Sequence, residues 1–122
     1  MQPARAQHVR GGEISGNTAP GGAGAGLLNH GDSATLNHTS VTNNTAPNDG
    51  TNDGFGGGIA NLNFGLPSTP TVALTLNHSQ VTGNTAAHGG GIFNNGGTVT
   101  LSNTTVTGNV LDNCEPVNSI PG

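Results

Sequence analysis

The segment TLNHTSVTNNTA (Thr35–Ala46) returns forty residues later as TLNHSQVTGNTA (Thr75–Ala86), and a third copy, TLSNTTVTGNV, runs from Thr100 to Val110. Similarity at a fixed spacing is the signature of repeat architectures, in which each copy forms one structural unit. The alternation of apolar and polar residues, rich in Thr and Val, predicts short β-strands. Gly, Asn and Thr are poor helix formers, so the same pattern argues against helices.

The spacing within the best-preserved unit predicts a coil with three sides. Asn84 and Asn109 are 25 residues apart, and steps of 8, 9 and 8 residues separate Asn84, Ile92, Leu101 and Asn109. Strands this short become stable when each coil stacks on the next, with parallel hydrogen bonding at about 4.8 Å. We therefore predict an all-β fold, a three-sided solenoid of about 3.5 coils of roughly 25 residues.

Stacked coils would place equivalent residues in columns. Asn favours the left-handed conformation of a sharp corner, and its amide can bond to its equivalent one coil away, so asparagine columns are predicted as structural ladders. The predicted ladders are Asn17, Asn44, Asn84 and Asn109, and Asn29, Asn61 and Asn94. The predicted aliphatic columns are Val9, Leu36, Leu76 and Leu101; Ile14, Val41, Val81 and Val106; Leu27, Ile59 and Ile92; and Ala34, Leu74 and Val99.

The pattern aliphatic-x-x-Asn-x-Ala followed by Gly-Gly-Gly-Ile resembles the repeat of the chlamydial polymorphic outer-membrane proteins, with Ile or Val in place of Phe. It is also similar to repeats of bacterial secreted proteins of the pectin-lyase-like class. The resemblance covers roughly residues 9–114. It implies a right-handed parallel β-helix and an extracellular or cell-surface location, although no signal peptide is visible in this chain.

Two insertions interrupt the repeat and are predicted to project as loops from adjacent corners. One lies in APNDGTNDGF (residues 46–55), and the other lies in LNFGLPSTPTV (residues 62–72). Insertions in solenoids map to surface loops and often bind ligands, although drift in a tolerant fold gives the same pattern. The candidate binding residues are Asn48, Asp49, Asn52, Asp53, Phe55 and Phe64.

No metal site is predicted from the remaining motifs. Asp49 and Asp53 are a calcium candidate, but Thr51 and Ala60 stand where an EF-hand loop needs Asp or Asn and then Glu. His38 and His78 occupy equivalent positions, and two imidazoles are too few for a zinc site. Outward columns of Thr resemble the ice-binding faces of some solenoids, but Thr is also the ordinary outward residue of a strand.

The charge excludes several classes of partner. The net charge is -4, with six acidic residues, two arginines and no lysine. Binding to nucleic acid needs a footprint of Lys and Arg, so no nucleic-acid partner is predicted. No apolar run approaches the roughly 20 residues of a spanning helix, so no membrane span is predicted.

The predicted function is structural or adhesive. Lyases and hydrolases of this class need a cationic base or clustered carboxylates, and the acids here are scattered, so we predict no enzyme, no catalytic residue and no cofactor. We predict a β-solenoid module of a bacterial secreted or cell-surface protein; the alternative is a carbohydrate-binding or polysaccharide-active fragment that uses both loops. A carbohydrate or protein ligand is a possible partner. The strand edges at the two ends of the stack predict either edge-to-edge self-association or a further part of the protein. Residues 1–8 are an N-terminal cap or extension, 9–110 the β-helix and 111–122 a C-terminal cap or tail.

Overall fold

The computed structural model describes residues 7–30, 33–63, 72–110 and 113–115, and within them the chain forms β-strands without any helix. No helix in this described part is therefore long and apolar enough to cross a membrane. The strands are β1 (Gln7–Arg10), β2 (Glu13–Ser15), β3 (Leu27–His30), β4 (Ser33–Asn37), β5 (Ser40–Thr42), β6 (Thr45–Ala46), β7 (Ile59–Leu62), β8 (Ala73–Asn77), β9 (Gln80–Thr82), β10 (Thr85–Ala86), β11 (Ile92–Asn95), β12 (Thr98–Ser102), β13 (Thr105–Thr107) and β14 (Cys114–Glu115).

The strands form parallel sheets whose neighbours come from successive repeats. Sheet 1 contains β1, β4, β8 and β12; sheet 2 contains β2, β5, β9 and β13; sheet 3 contains β3, β7, β11 and β14. A short parallel pair, β6 with β10, lies between the second and third sheets along the chain. The chain visits the three sheets in the same order in each repeat. The fold is thus all-β with stacked parallel sheets, as predicted, and is consistent with a parallel β-helix.

The register of the sheets confirms the predicted aliphatic columns. Leu36 pairs with Leu76, and Leu76 pairs with Leu101 in sheet 1. Val41, Val81 and Val106 follow one another in sheet 2, and Leu27, Ile59 and Ile92 follow in sheet 3. The central members of these columns are completely buried and make up one hydrophobic core. Burial of each such side chain is worth about 1.5–3 kcal/mol, so the columns are the main source of stability.

The first asparagine column forms a continuous ladder. Asn44 donates its backbone N–H and its Nδ2–H to Oδ1 of Asn84, both at 3.0 Å. Asn84 makes the same pair of bonds to Asn109, and Asn17 makes them to Asn44. Asn44 and Asn84 are fully buried. Since an unsatisfied buried amide costs about 1–3 kcal/mol, the repeated bonding explains why asparagine recurs at this position.

The second predicted column is also a ladder, made by side chains alone. Nδ2 of Asn29 donates to Oδ1 of Asn61 at 2.7 Å, and Nδ2 of Asn61 donates to Oδ1 of Asn94 at 3.0 Å. Each Nδ2 also reaches a backbone carbonyl, that of Ala73 for Asn29. At the first rung, the buried Oδ1 of Asn29 accepts no hydrogen bond from the described part of the chain.

Glycine precedes the third aliphatic column because the ladder passes directly beside it. A Cβ atom at Gly26 or Gly58 would lie 3.1 Å from Nδ2 of a ladder asparagine, and one at Gly91 would lie 2.7 Å from Nδ2 of Asn109. The glycine runs that repeat in the sequence therefore allow a close approach of two sides of the coil.

The left-handed corners lie one residue before the positions that the sequence suggested. The ladder residues themselves have negative φ, whereas φ is positive at Gly16, Asn43, Gly83 and Gly108, each immediately before a ladder asparagine. The turn is therefore made by the residue before the ladder asparagine, and at three of the four corners that residue is glycine, which adopts positive φ without a steric penalty. A second left-handed corner follows sheet 1, at Gly11, His38, His78 and Asn103.

Candidate functional site

The first insertion forms an ordered loop that is built by its own polar side chains. The N–H groups of Thr51 and Asn52 donate to Oδ1 of Asp49 at 2.8 and 2.7 Å, and the N–H of Gly50 donates to Oδ1 of Asn48 at 2.6 Å. These bonds stabilise a carboxylate, so the N–H of Asn52 and then that of Thr51 hold the pKa of Asp49 below its ordinary value of 3.8.

Asp53 connects this loop to the next coil. Its Oδ1 accepts a hydrogen bond from Nδ2 of Asn48 at 2.5 Å, and its Oδ2 lies 3.2 Å from Nε2 of His88. The side chains of His88 and Asp53 are 37% and 47% exposed. A partly exposed pair of this kind contributes little stability by itself, but it fixes the position of the loop end against the sheet.

The predicted calcium ligands point to different partners. Oδ1 of Asp49 accepts backbone N–H groups within the loop, whereas Asp53 contacts Asn48 and His88. In the described ranges, no group of three or more His, Cys, Asp and Glu side chains is arranged to hold a metal ion. No further acidic ligand in the described ranges therefore joins the calcium candidate, Asp49 and Asp53.

Phe55 ends the insertion and belongs to a column that runs across three repeats. Phe55 is bridged in parallel to Ala23 on one side and to His88 on the other. The rings of Phe55 and His88 are stacked, with centroids 5.0 Å apart and planes at 15°. Phe93, on β11, packs against Phe55 with centroids 4.9 Å apart and planes at 52°. The insertion thus places an aromatic cluster on the outside of sheet 3.

A concave apolar surface adjoins this cluster. It encloses about 310 Å³ and is lined by Ala23, Phe55, Leu62, Phe93 and Asn95; we call it the Phe55 groove. The outward side of sheets 1 and 2 is different, since it carries columns of threonine. These are Thr35, Thr75 and Thr100 on sheet 1, and Thr42, Thr82 and Thr107 at the strand ends of sheet 2. The concentration of apolar side chains around an inserted loop marks this region as the candidate functional site.

Of the predicted binding residues, Asn48, Asp49 and Asn52 shape the loop, Asp53 joins it to His88, and Phe55 lines the groove. Phe64 lies outside the described residues.

Sequence reasoning missed Ala23, His88 and Phe93. Ala23, Phe55 and His88 each precede an aliphatic-column residue by four positions, and Phe93 follows one directly. Alignment on the third aliphatic column would have found all of them.

The two repeat histidines lie on a different corner. The rings of His38 and His78 stack with centroids 5.0 Å apart and planes at 5°. Both have positive φ, as does Asn103 at the equivalent corner of the next repeat. The column is explained by corner geometry, and it presents two imidazoles without a third ligand of the His, Cys, Asp or Glu type within the described residues.

No protein-family model matches this chain, and neither a curated protein nor a solved structure is significantly similar to it.

Proposed function

We propose that this chain is a non-catalytic structural or adhesive module of a bacterial secreted or cell-surface protein, folded as a right-handed, three-sided parallel β-helix of the pectin-lyase-like type. Connections between parallel strands of one sheet are right-handed in about 98% of cases, which supports the handedness. The fixed order of the three sheets supports three sides. The resemblance of the repeat to those of secreted bacterial proteins supports the location.

The observation that carries the adhesive role is the Phe55 groove. Its apolar lining comes from one inserted loop and the outer side of sheet 3, while sheets 1 and 2 present threonine columns. A concave surface lined by aromatic and aliphatic side chains is the usual form of a ligand site. The regular coils would then act as a rigid support that holds the groove in a fixed position.

The environment of the three acidic side chains that the structure describes supports a non-catalytic role. Glycoside hydrolysis needs two carboxyl groups that face one bond, separated by about 5–10 Å. Here Asp49 is committed to backbone N–H groups and Asp53 contacts Asn48 and His88. Glu13 lies on β2 and accepts a hydrogen bond from the Ser15 hydroxyl at 2.6 Å. These carboxylates have local structural partners.

The second candidate function is carbohydrate binding or polysaccharide cleavage at the same loops. It is favoured by the partly exposed aromatic rings of Phe55 and Phe93, since an aromatic face can pack against the apolar face of a sugar ring. This candidate uses the same groove and differs in the ligand.

Two assays test the proposed function. Incubation with pectate, xylan and cellulose should give no new reducing ends and no unsaturated products. Beads coated with the protein should be retained on some members of an array of immobilised glycans and peptides, and Phe55→Ser and Phe93→Ser should each abolish that retention. Circular dichroism must show that both variants keep the β fold. Polysaccharide cleavage would overturn the non-catalytic role. The adhesive role would be overturned if the beads are not retained at all, or if retention is the same with both variants as with the unchanged protein.

A further inference from the structure

The column of Phe55 is incomplete at one end. His88, Phe55 and Ala23 occupy equivalent positions on three successive repeats. The imidazole of His88 covers one face of the Phe55 ring, but the residue on the opposite side carries only a methyl group. Ala23 lines the groove and His88 does not, although Phe93 and Asn95 on β11 also contribute, so the groove reaches the side where the stack has no third ring. A planar group that enters there would complete the stack.

Carboxylates flank both ends of this column. Asp53 contacts His88 at one end. At the other end, a Cβ atom added at Gly21 would collide with the carboxylate of Asp49, so that carboxylate packs against the backbone two residues before Ala23. The chain has a net charge of -4 and no lysine. The charge around the groove is therefore complementary to a cationic ligand.

We propose that the Phe55 groove binds the guanidinium group of an arginine side chain on a peptide or protein partner. This inference rests on the proposed adhesive function and names the partner chemistry. A guanidinium is planar, stacks on aromatic faces and pairs with carboxylates, so it matches both the open ring face and the flanking charges. A lysine ammonium lacks the planar stack, and a neutral sugar lacks the charge.

The size of the groove fits one side chain. Sites for small molecules span about 300–1,000 Å³, and the groove, at about 310 Å³, is at the lower limit of that range. The planar end of an arginine and the adjoining methylene groups are smaller than this volume, so the groove admits one such side chain. Asn95, the polar residue of the lining, is exposed at its edge and can accept a hydrogen bond from a guanidinium N–H through its amide oxygen.

The test compares three blocked pentapeptides in which arginine, lysine or citrulline is flanked by glycines. Citrulline keeps the planar shape of arginine and lacks its charge. Binding is followed by NMR through the ring signals of Phe55 and Phe93. We expect the arginine peptide to bind about three- to thirty-fold more tightly than the citrulline and lysine peptides, and its affinity to fall as salt is added.

Variants at three positions locate the site. Ala23→Phe fills the open end of the stack and should abolish arginine binding, and Ala23→Leu gives a smaller block if the larger side chain disturbs the fold. Asp49→Asn removes the charge beside Gly21, at the same end of the column as Ala23, and should weaken binding about three- to tenfold. Glu13→Gln removes the same charge from β2, on another sheet, and should leave the affinity unchanged.

The outcomes separate this inference from the proposed function. Equal binding of the citrulline and arginine peptides, or an effect of Glu13→Gln as large as that of Asp49→Asn, would reject the guanidinium. Binding of cellohexaose or xylohexaose that is lost in Ala23→Phe would also reject it, while the groove keeps its adhesive role with a carbohydrate ligand. If no peptide or oligosaccharide shows binding that depends on Ala23 or Phe55, both proposals are rejected.

Discussion

Asn109 donates its backbone N–H and its Nδ2–H to the same atom, Oδ1 of Asn113, at 3.1 and 3.0 Å. This is the pair of bonds that joins the rungs of the first ladder, yet Asn113 follows only 4 residues later instead of one repeat later. Cys114 then pairs with Ile92, below the third aliphatic column. Asn113 therefore takes the place of a further rung, and the ladder ends with its last amide satisfied.

Asn113→Ala should lower the free energy of unfolding by about 1–2 kcal/mol, because the N–H and part of the Nδ2 bonding of Asn109 lose their acceptor. Urea denaturation followed by circular dichroism measures this difference. Ser102→Ala, which changes an exposed side chain of β12, is the control and should shift stability by less than about 0.5 kcal/mol. Equal midpoints for the two variants would show that Asn113 does not cap the ladder.

Asn84→Asp should be far more damaging, although the side chains have almost the same shape. Nδ2 of Asn84 donates to the carbonyls of Val41 and Thr82 and to Oδ1 of Asn109. A carboxylate would bring a buried charge against these three acceptors, at a cost of at least about 3 kcal/mol at neutral pH.

The loss in Asn84→Asp should shrink as the pH is lowered, because protonation removes the buried charge. Asn43→Asp makes the same chemical change one residue from the equivalent ladder position, at an exposed corner, and should cost less than about 0.5 kcal/mol. Urea denaturation at several pH values compares the two variants. A loss at Asn84 that is small or independent of pH would contradict the ladder as a source of stability.

Substitution of three glycines by alanine distinguishes the effect of close packing from that of an unfavourable backbone conformation. Gly91→Ala would place its Cβ 2.5 Å from the carbonyl oxygen of Asn113 and 2.7 Å from Nδ2 of Asn109, so one side of the coil must move. Gly108→Ala meets no atom within 4 Å but has φ of +67°, which costs an alanine about 1–2 kcal/mol. Gly12→Ala has neither constraint. Thermal unfolding should rank the losses as Gly91 above Gly108 above Gly12, and a Gly91→Ala variant as stable as Gly12→Ala would refute the packing argument.

The Asp49 turn should open in acid. The N–H groups of Asn52 and Thr51 lower the pKa of Asp49 below 3.8, so the folded turn holds the carboxylate more strongly than the unfolded chain does. The stabilisation is complete above the unfolded pKa and is lost as the pH falls through the lower folded pKa. NMR should show the amide signals of Thr51 and Asn52 moving together below pH 3.8, and Asp49→Asn should remove that titration. Amide shifts that persist in Asp49→Asn would assign the titration to another group.

The repeat could be recognised in the sequence because a parallel stack requires each repeat to place the same type of residue at the same interior position. Leu76 and Leu101, 25 residues apart, pair in one register because each must fill the same interior position. The ladder was predictable for the same reason, since a buried amide needs an identical partner one rung away. The position of the left-handed corner could not be predicted from the sequence. Gly83 and Asn84 are adjacent, and either residue type suits a turn.

The sequence alone determined the strands, the aliphatic columns, the two ladders and the place where the first insertion leaves the repeat, because these depend on local alternation and a fixed repeat. Tertiary structure decided what the insertion does. Alignment on the third aliphatic column places Ala23, Phe55 and His88 at equivalent positions, but only the folded loop shows that Asp53 lies beside His88 and that Phe93 packs against Phe55. A period locates a residue within its coil, but the contacts of an inserted loop depend on the path of its backbone, and no repeat spacing encodes that path.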